Sequence, residues 1–347
     1  MTTESTGAAL SPCASTERPA PVLALVIPCF NEATVLAGTA PLLLDAMARL
    51  VTAGSAAPES YLVLVDDGSV DDTWAVIGAL AAADRRVRGV RLSRNCGQQA
   101  ALMAGIDEVR GACDAAVTLD ADGQDDPAAL AEMVARYREG YDVVFGVRSD
   151  RSCDGAPKRM TARAFYRLLA LLGAEVVPDH ADFRLMAAPV IAGIASFQEV
   201  NLYLRGLVPL VGFRSCEVRY RRLPRRAGRS HYGAGRMVGL ALDGVTSLTI
   251  RPIRIITLVG LVIALGSALG ILWAVATALS GRAVSGWASM IVAIFFLGGV
   301  QLVSLGVIGE YVGKTYLEAK RRPRYLVAER TQGDAKDASS HRSTQNA

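Results

Sequence analysis

The stretch Ala115 to Asp126, AAVTLDADGQDD, decides the fold. Its apolar run, Ala115 to Leu119, has the length and composition of a buried strand, and it stops abruptly at four carboxylates, Asp120, Asp122, Asp125 and Asp126. In an open α/β sheet, ligands sit beyond the carboxyl ends of the strands, so these acids face the cleft where a substrate binds. Asp120 and Asp122, one residue apart, can present oxygen to a hard divalent cation that also holds a diphosphate. Turn and cap roles account for aspartates here equally well, with Pro127 opening the following helix, Ala128 to Tyr137. A calcium loop of the EF-hand type is rejected, because Asp125 stands at its required glycine position and Ala131 at its closing glutamate.

Outward from this stretch the same order of strand, polar loop and helix repeats. Strands are predicted at Leu23 to Pro28, Tyr61 to Val65, Val87 to Leu92 and Asp142 to Val147. Helices are predicted at Val35 to Val51, Thr73 to Ala83 and Gln98 to Arg110. The repeat is the signature of an α/β, mostly parallel, doubly wound (Rossmann-like) sheet with its polar loops gathered on one edge. That edge collects Asn31, Glu32, Asp66, Asp67, Asp120, Asp122 and Arg148. The carboxylates Asp66 and Asp67 after the second strand suit the hydroxyls and ring nitrogens of a nucleoside. No Gly-x-Gly-x-x-Gly follows the first strand, which disfavours a dinucleotide dehydrogenase.

The chain has 347 residues, 51% of them hydrophobic but only 6% aromatic, enough for one substantial domain plus an aliphatic addition. The addition is C-terminal: 255–279 and 283–309 carry no charge, and each exceeds the roughly 20 residues that span a bilayer. Basic residues flank both outer sides, Arg251 and Arg254 before and Lys314, Lys320, Arg321, Arg322 and Arg324 after. The positive-inside rule then puts the N-terminal domain and both termini in the cytoplasm, on a multi-pass protein of the cell membrane. Net charge is only +4 and its basic residues cluster near the spans, so anionic membrane lipid is the expected partner and nucleic acid is not. The six cysteines have no metal or redox spacing, which fits a reducing compartment. The expected organisation is a disordered tail without a secretion signal (1–20), the α/β domain (21–236), an interfacial amphipathic helix (237–254), a transmembrane hairpin (255–313), and a basic juxtamembrane segment with a polar, disordered tail (314–347).

The ordered series Val26-Ile27-Pro28-Cys29-Phe30-Asn31-Glu32, Val65-Asp66-Asp67-Gly68-Ser69, Leu92-Ser93-Arg94-Asn95-Cys96-Gly97 and Asp120-Ala121-Asp122-Gly123-Gln124-Asp125 resembles family 2 glycosyltransferases of the GT-A fold. With Arg148, Lys158-Arg159, Asp182-Phe183-Arg184-Leu185-Met186, Leu204-Arg205-Gly206, Gly228-Arg229-Ser230-His231-Tyr232 and the two spans, it is similar to the polyprenyl-phosphate branch, which includes bactoprenol glucosyltransferases and dolichol-phosphate mannosyltransferases. The resemblance implies that Pro28, Asn31, Glu32, Asp66 and Asp67 hold the nucleoside, while Asp120 and Asp122 hold its diphosphate through Mg2+ or Mn2+. It places Gln124 and Asp125 beside the sugar and Asp182 on the acceptor side, and makes Asp122, Asp125, Asp182 and Gln124 the catalytic group. Arg148, Arg163, Arg205, Arg229 and His231 are its lipid-phosphate candidates.

The expected partners are a nucleotide sugar, polyprenyl phosphate and a further copy of the chain in a homo-oligomer. UDP-glucose is the favoured donor; GDP-mannose, a UDP-N-acetylhexosamine and an aminopentose donor stay open, as does a catalytically silent sugar-nucleotide sensor. The chain departs from the common pattern at Gly123, Ala181 and His231, the last standing where lysine is usual. Histidine is only fractionally charged near neutrality, which weakens the cation there.

Overall fold

The computed structural model describes residues 17–148, 180–197, 199, 204–221 and 287–331, with scattered positions of 253–269. All five expected strands form, as β1 (Leu23–Cys29), β2 (Tyr61–Asp66), β3 (Val87–Leu92), β4 (Ala115–Thr118) and β5 (Val143–Arg148). β1, β2 and β4 pair in parallel with one another or with β3. Their unbroken aliphatic runs are buried along almost their whole length because helices cover both faces of the sheet. The covering helices are α1 (Ala33–Thr52), α2 (Thr73–Ala83), α3 (Gln98–Val109) and α4 (Ala129–Arg138), each within two residues of expectation. α1 presents Val35, Leu36, Thr39, Ala40, Leu43, Ala46, Met47 and Leu50 inward, a stripe at helical spacing, while Asp45 and Arg49 stay exposed.

Among the described residues the sheet has eight strands, in the order β7-β5-β6-β4-β1-β2-β3-β8. Three of them lie outside the simple repeat: β6 (His180–Ala187), β7 (Ser215–Tyr220) and β8 (Val327–Arg330). β6 inserts antiparallel between β4 and β5, and β7 runs parallel to β5 on the outer side. The sheet is therefore mixed, with four parallel pairings and three antiparallel ones among those described. Helices α5 (Ala188–Ser196) and α6 (Leu204–Leu210) follow β6.

β8 corrects the expected polar tail. Glu329 and Arg330 belong to a strand that runs antiparallel to β3 and closes that edge of the sheet. The Nε1–H of Trp74 donates to Glu329 at 3.0 Å, Arg91 reaches the other oxygen of the same carboxylate at 2.9 Å, and Gly89 N donates to the Thr331 hydroxyl at 2.7 Å. The sheet domain thus does not end before the apolar segments; its last strand comes after them.

The second apolar segment forms α7 (Trp287–Ala319), 33 residues long. Within it Phe296–Ala319 is long and apolar enough to cross a membrane, and none of that window is buried. α1 meets the same length and apolarity test, but half of its window is buried against the sheet, which makes it a core helix. The described positions of 253–269 are helical and expose Leu258, Leu261, Val262, Leu265 and Leu269. The rest of the expected first span, the hairpin tip and nearly all of the expected interfacial helix lie outside the described residues.

Candidate active site

The acidic stretch turns sharply after β4. Leu119 is still buried, and its amide donates to the carbonyl of Val26 in β1. Beyond it the four carboxylates separate by role. Asp126 accepts the amide of Ala128 at 2.9 Å, an Asx turn that leads into α4, whose N-cap position is Ala128 and carries no side-chain cap. Asp122 accepts the amide of Gln124 at 3.1 Å and remains partly exposed, as does Asp120. Asp120 accepts a hydrogen bond from the Gln98 side chain at 2.8 Å. A shallow pocket lies between this turn and α1, lined by Thr39, Leu43, Leu119, Asp120, Gly123 and Asp125 among others.

Asp125 is different, being only 4% exposed. The hydroxyl of Tyr220, at the end of β7, donates to its Oδ1 at 2.5 Å, and Arg148 at the end of β5 donates to that hydroxyl at 3.2 Å. The Arg148 guanidinium also stands 3.8 Å from the same carboxylate oxygen. Oδ2 of Asp125 is buried without a hydrogen-bond partner. Burial pushes this carboxyl above the usual carboxylate range, against the Tyr220 bond and the nearby Arg148, which favour the charged form. Burial and the neighbouring Asp125 push the Tyr220 phenol upward in turn, so the proton stays on the tyrosine. Sequence reasoning missed Tyr220. Its signal was the alternation in β7, where Val218 and Tyr220 are buried between exposed Glu217 and Arg219.

The carboxylates at the end of β2 face inward. Asp66 is fully buried; it accepts the amide of Ser69 at 3.0 Å and lies 3.4 Å from Arg91. Asp67, 3% exposed, accepts the amides of Cys96 and Gly97 at 2.7 and 2.9 Å. Desolvation raises its carboxyl even though those two amides favour the charge. Gly68 is required between this pair and Ser69, since a Cβ there would lie 2.4 Å from the backbone of Arg94, and its φ is +65°. The loop after β1 is tied to the same corner. Asn31 has φ 55°, its amide donates to the Ser69 hydroxyl at 2.9 Å, and its side chain accepts the amide of Val70 at 3.0 Å. Glu32 N donates to the Thr73 hydroxyl at 2.9 Å. Pro28 lies beyond Val26, the last residue of β1 that β4 pairs with, so its missing N–H breaks no bond to that strand.

Asp182 lies near the start of β6 and is 1% exposed. Its Oδ1 pairs with the equally buried Arg184 at 2.6 Å, and its Oδ2 accepts from Gln98 at 3.1 Å. Asp182 therefore adjoins Asp120 through Gln98, a residue the sequence reading did not single out. Arg163, Arg229 and His231 lie outside the described residues, and Arg205 is described only as part of α6.

Asp120 and Asp122 supply hard oxygen donors, and among the described residues no set of three histidine, cysteine or acidic side chains converges as a closed metal cage. Such a pair suits a Mg2+- or Mn2+-like ion that takes its remaining ligands from phosphate and water.

A mixed, mostly parallel sheet with this acidic turn at the end of a central strand and an antiparallel strand inserted beside it has the GT-A arrangement of glycosyltransferases. The chain belongs to glycosyl transferase family 2: the model of that family matches residues 24–190, and full-length relatives extend the match over most of the chain. The uncharacterized glycosyltransferase YkoT of Bacillus subtilis is 42% identical over 88% of this chain and 91% of its own length. The bactoprenol glucosyl transferase of Shigella phage SfX is 38% identical over 89% of this chain and 99% of its own, and the prophage bactoprenol glucosyl transferase homolog of Escherichia coli is 37% identical over 88% and 98%. Among solved structures, glucosyl-3-phosphoglycerate synthase from Mycobacterium tuberculosis aligns at a TM-score of 0.43, 18% identical, over 69% of this chain and 81% of that one.

Proposed function

We propose that the protein transfers a hexose, glucose from UDP-glucose, to polyprenyl phosphate at the cytoplasmic face of the cell membrane and so makes a lipid-linked sugar for cell-envelope glycosylation. The observation that carries this reading is similarity to bactoprenol glucosyl transferases along almost the whole chain, including the exposed apolar helix. The acidic turn and Arg148 at one sheet edge supply the matching chemistry.

Sugar transfer between a nucleotide and a lipid phosphate brings two anions together, so repulsion is the main obstacle. A divalent cation held by Asp120 and Asp122 would neutralise the leaving diphosphate as Lewis acid and template. Arg148, and with it Arg163, Arg205, Arg229 and His231, would receive the incoming phosphate, for which a guanidinium offers two parallel hydrogen bonds. A phosphate monoester, with a second pKa near about 6, is already an anionic nucleophile at neutral pH. It needs little help from a base, which suits the buried, partnered state of Asp125 and Asp182 as orienting groups. The phosphate oxygen forms the new bond to the anomeric carbon as the bond to the diphosphate breaks, inverting that centre. Asn31, Glu32, Asp66 and Asp67 would shape the nucleoside side; since both oxygens of Asp67 already accept amides, it acts mainly by holding the loop after β3.

The position of β8 supports the membrane arrangement. The strand follows the end of α7 by only a few residues and pairs with β3, so the segment after the apolar helix lies on the same side as the sheet domain. An even number of crossings between β7 and β8 satisfies that geometry. With the positive-inside rule, this reading has both basic flanks and both chain ends on the cytoplasmic side.

Membranes holding the protein, undecaprenyl phosphate and Mg2+ or Mn2+, supplied in parallel with radiolabelled UDP-glucose and GDP-mannose, test the proposal. Metal-dependent label in the organic phase from UDP-glucose is expected. Label from GDP-mannose alone would replace the donor, and a product retaining the donor's anomeric configuration would overturn the single displacement.

A further inference from the structure

The contacts of Gln98 join parts of the site that are far apart in the chain. We infer that Gln98 is a positioning residue that orients the carboxylate of Asp120 toward its cation and, with Gln99, fastens it to the acceptor-side helix α6. The inference rests on the metal-assisted transfer proposed above.

The bracket is built from its base. Asp67 fixes the amides of Cys96 and Gly97, the two residues before Gln98. Gly97 has φ 92°, a backbone region that favours glycine, and it turns the loop into α3 so that Gln98 is the first helical residue. The Gln98 side-chain nitrogen then donates to Asp120 Oδ1 at 2.8 Å and to Asp182 Oδ2 at 3.1 Å. A primary amide nitrogen carries two hydrogens, and these contacts use both. Being neutral, the amide holds two carboxylates near each other without adding a charge that would compete with a divalent ion, as a lysine there would.

The next residue closes a ring. Gln99 accepts the amide of Leu204, at the start of α6, at 3.1 Å. Arg184 donates to the carbonyl of that same Leu204 at 3.3 Å and to Asp182 Oδ1 at 2.6 Å. Gln98, Asp182, Arg184, Leu204 and Gln99 thus form one closed circuit, with Asp120 hung from it and Arg205 next in sequence after Leu204. A ligand carboxylate held in this way meets its metal already oriented. Partners of this kind are typically worth about 10- to 100-fold in metal affinity.

Full-length protein in detergent is titrated with Mn2+ in the presence of UDP, with bound ion read by electron paramagnetic resonance, for wild type, Gln98→Met and Gln98→Asn. Methionine keeps the length without donors; asparagine keeps the amide but withdraws it by one methylene. Both variants are expected to bind Mn2+ about 10-fold or more weakly than wild type. Thermal unfolding is followed alongside, and affinities are compared below every midpoint so that lost folding is not read as lost affinity. Equal Mn2+ affinity in wild type and in whichever variant is folded would overturn the role of Gln98 while leaving the metal reading intact. A wild type that binds no Mn2+ and transfers sugar in the presence of chelator would overturn the metal reading and this inference with it.

Discussion

Two pairs of aspartates stand at the carboxyl ends of neighbouring parts of one sheet, and they are put to opposite uses. Asp66 and Asp67, at the end of β2, are 0% and 3% exposed and give three of their four oxygens to the amides of Ser69, Cys96 and Gly97. Asp120 and Asp122, after β4, stay partly exposed, and each has at least one oxygen committed to a neighbour in the turn or in α3. The first pair builds the corner, and the second is presented by it. Residue type and topological position are the same in both; the difference is which backbone amides fold back over the carboxylates. At the β2 corner Gly68 lets the loop after β3 approach to within a Cβ's distance, and that approach closes the corner.

The sharpest way to break the comparison is Asp122→Asn. Transfer of label to polyprenyl phosphate should fall by about 100-fold or more, since several kcal/mol of charge stabilisation go with the metal. The thermal midpoint should hardly move, and a large drop in it would put Asp122 in the structural class with Asp67.

Asp67→Asn should do the converse. It leaves one of the two amides facing an N–H instead of an oxygen, so urea unfolding should show a loss of about 1.5–3 kcal/mol, the range for hydrogen bonds to a charged group. Unchanged stability with lost nucleotide binding would move Asp67 to the ligand-facing class.

Tyr220→Phe probes the buried member of the acidic turn. Removing the hydroxyl strips Asp125 of its partner in β7 and should cost about 1–3 kcal/mol of stability. Asp125→Asn should instead retain an oxygen for the Tyr220 hydroxyl while removing the buried charge. Because the Asp125 carboxyl is raised in the fold, its contribution to stability is complete below the unfolded value and is lost as pH rises through the folded one. The difference in unfolding free energy between wild type and Asp125→Asn should therefore shift in favour of the variant as pH climbs from the ordinary carboxylate range toward neutrality. A difference that is flat with pH would contradict the raised carboxyl.

The smallest effect is expected at the far edge. Glu329→Ala removes an exposed ion pair to Arg91 and a bond to Trp74, worth about 1 kcal/mol or less, and calorimetry of the full-length protein should show a correspondingly small fall in midpoint.

The central strands and their helices were legible because aliphatic runs and helical stripes are local patterns. β6 was not. It was visible only as the motif Asp182 to Met186, since a buried Arg184 interrupts the apolar run and its charge is acceptable only beside Asp182. β8 was hidden for another reason: Val327–Arg330 is short, mostly exposed and far along the chain from its partner β3, so nothing local marks it as part of the sheet. At the site, the four carboxylates after β4 were readable as a group, but their division into turn former, buried member and partly exposed pair was not. Tyr220 and Gln98 reach them from 95 and 22 residues away.

The sequence by itself determined the α/β class, the acidic turn, the family and the apolar C-terminal segments, because periodicity, composition and ordered motifs are properties of the chain alone. Only the tertiary structure decided which aspartates are consumed inside the fold, that Gln98 bridges Asp120 and Asp182, and that the last strand returns to the sheet after the apolar helix. Those outcomes depend on hydrogen bonds between residues distant in sequence. A carboxylate's exposure and a strand's partner are settled when the chain packs, and no single stretch of it carries that information.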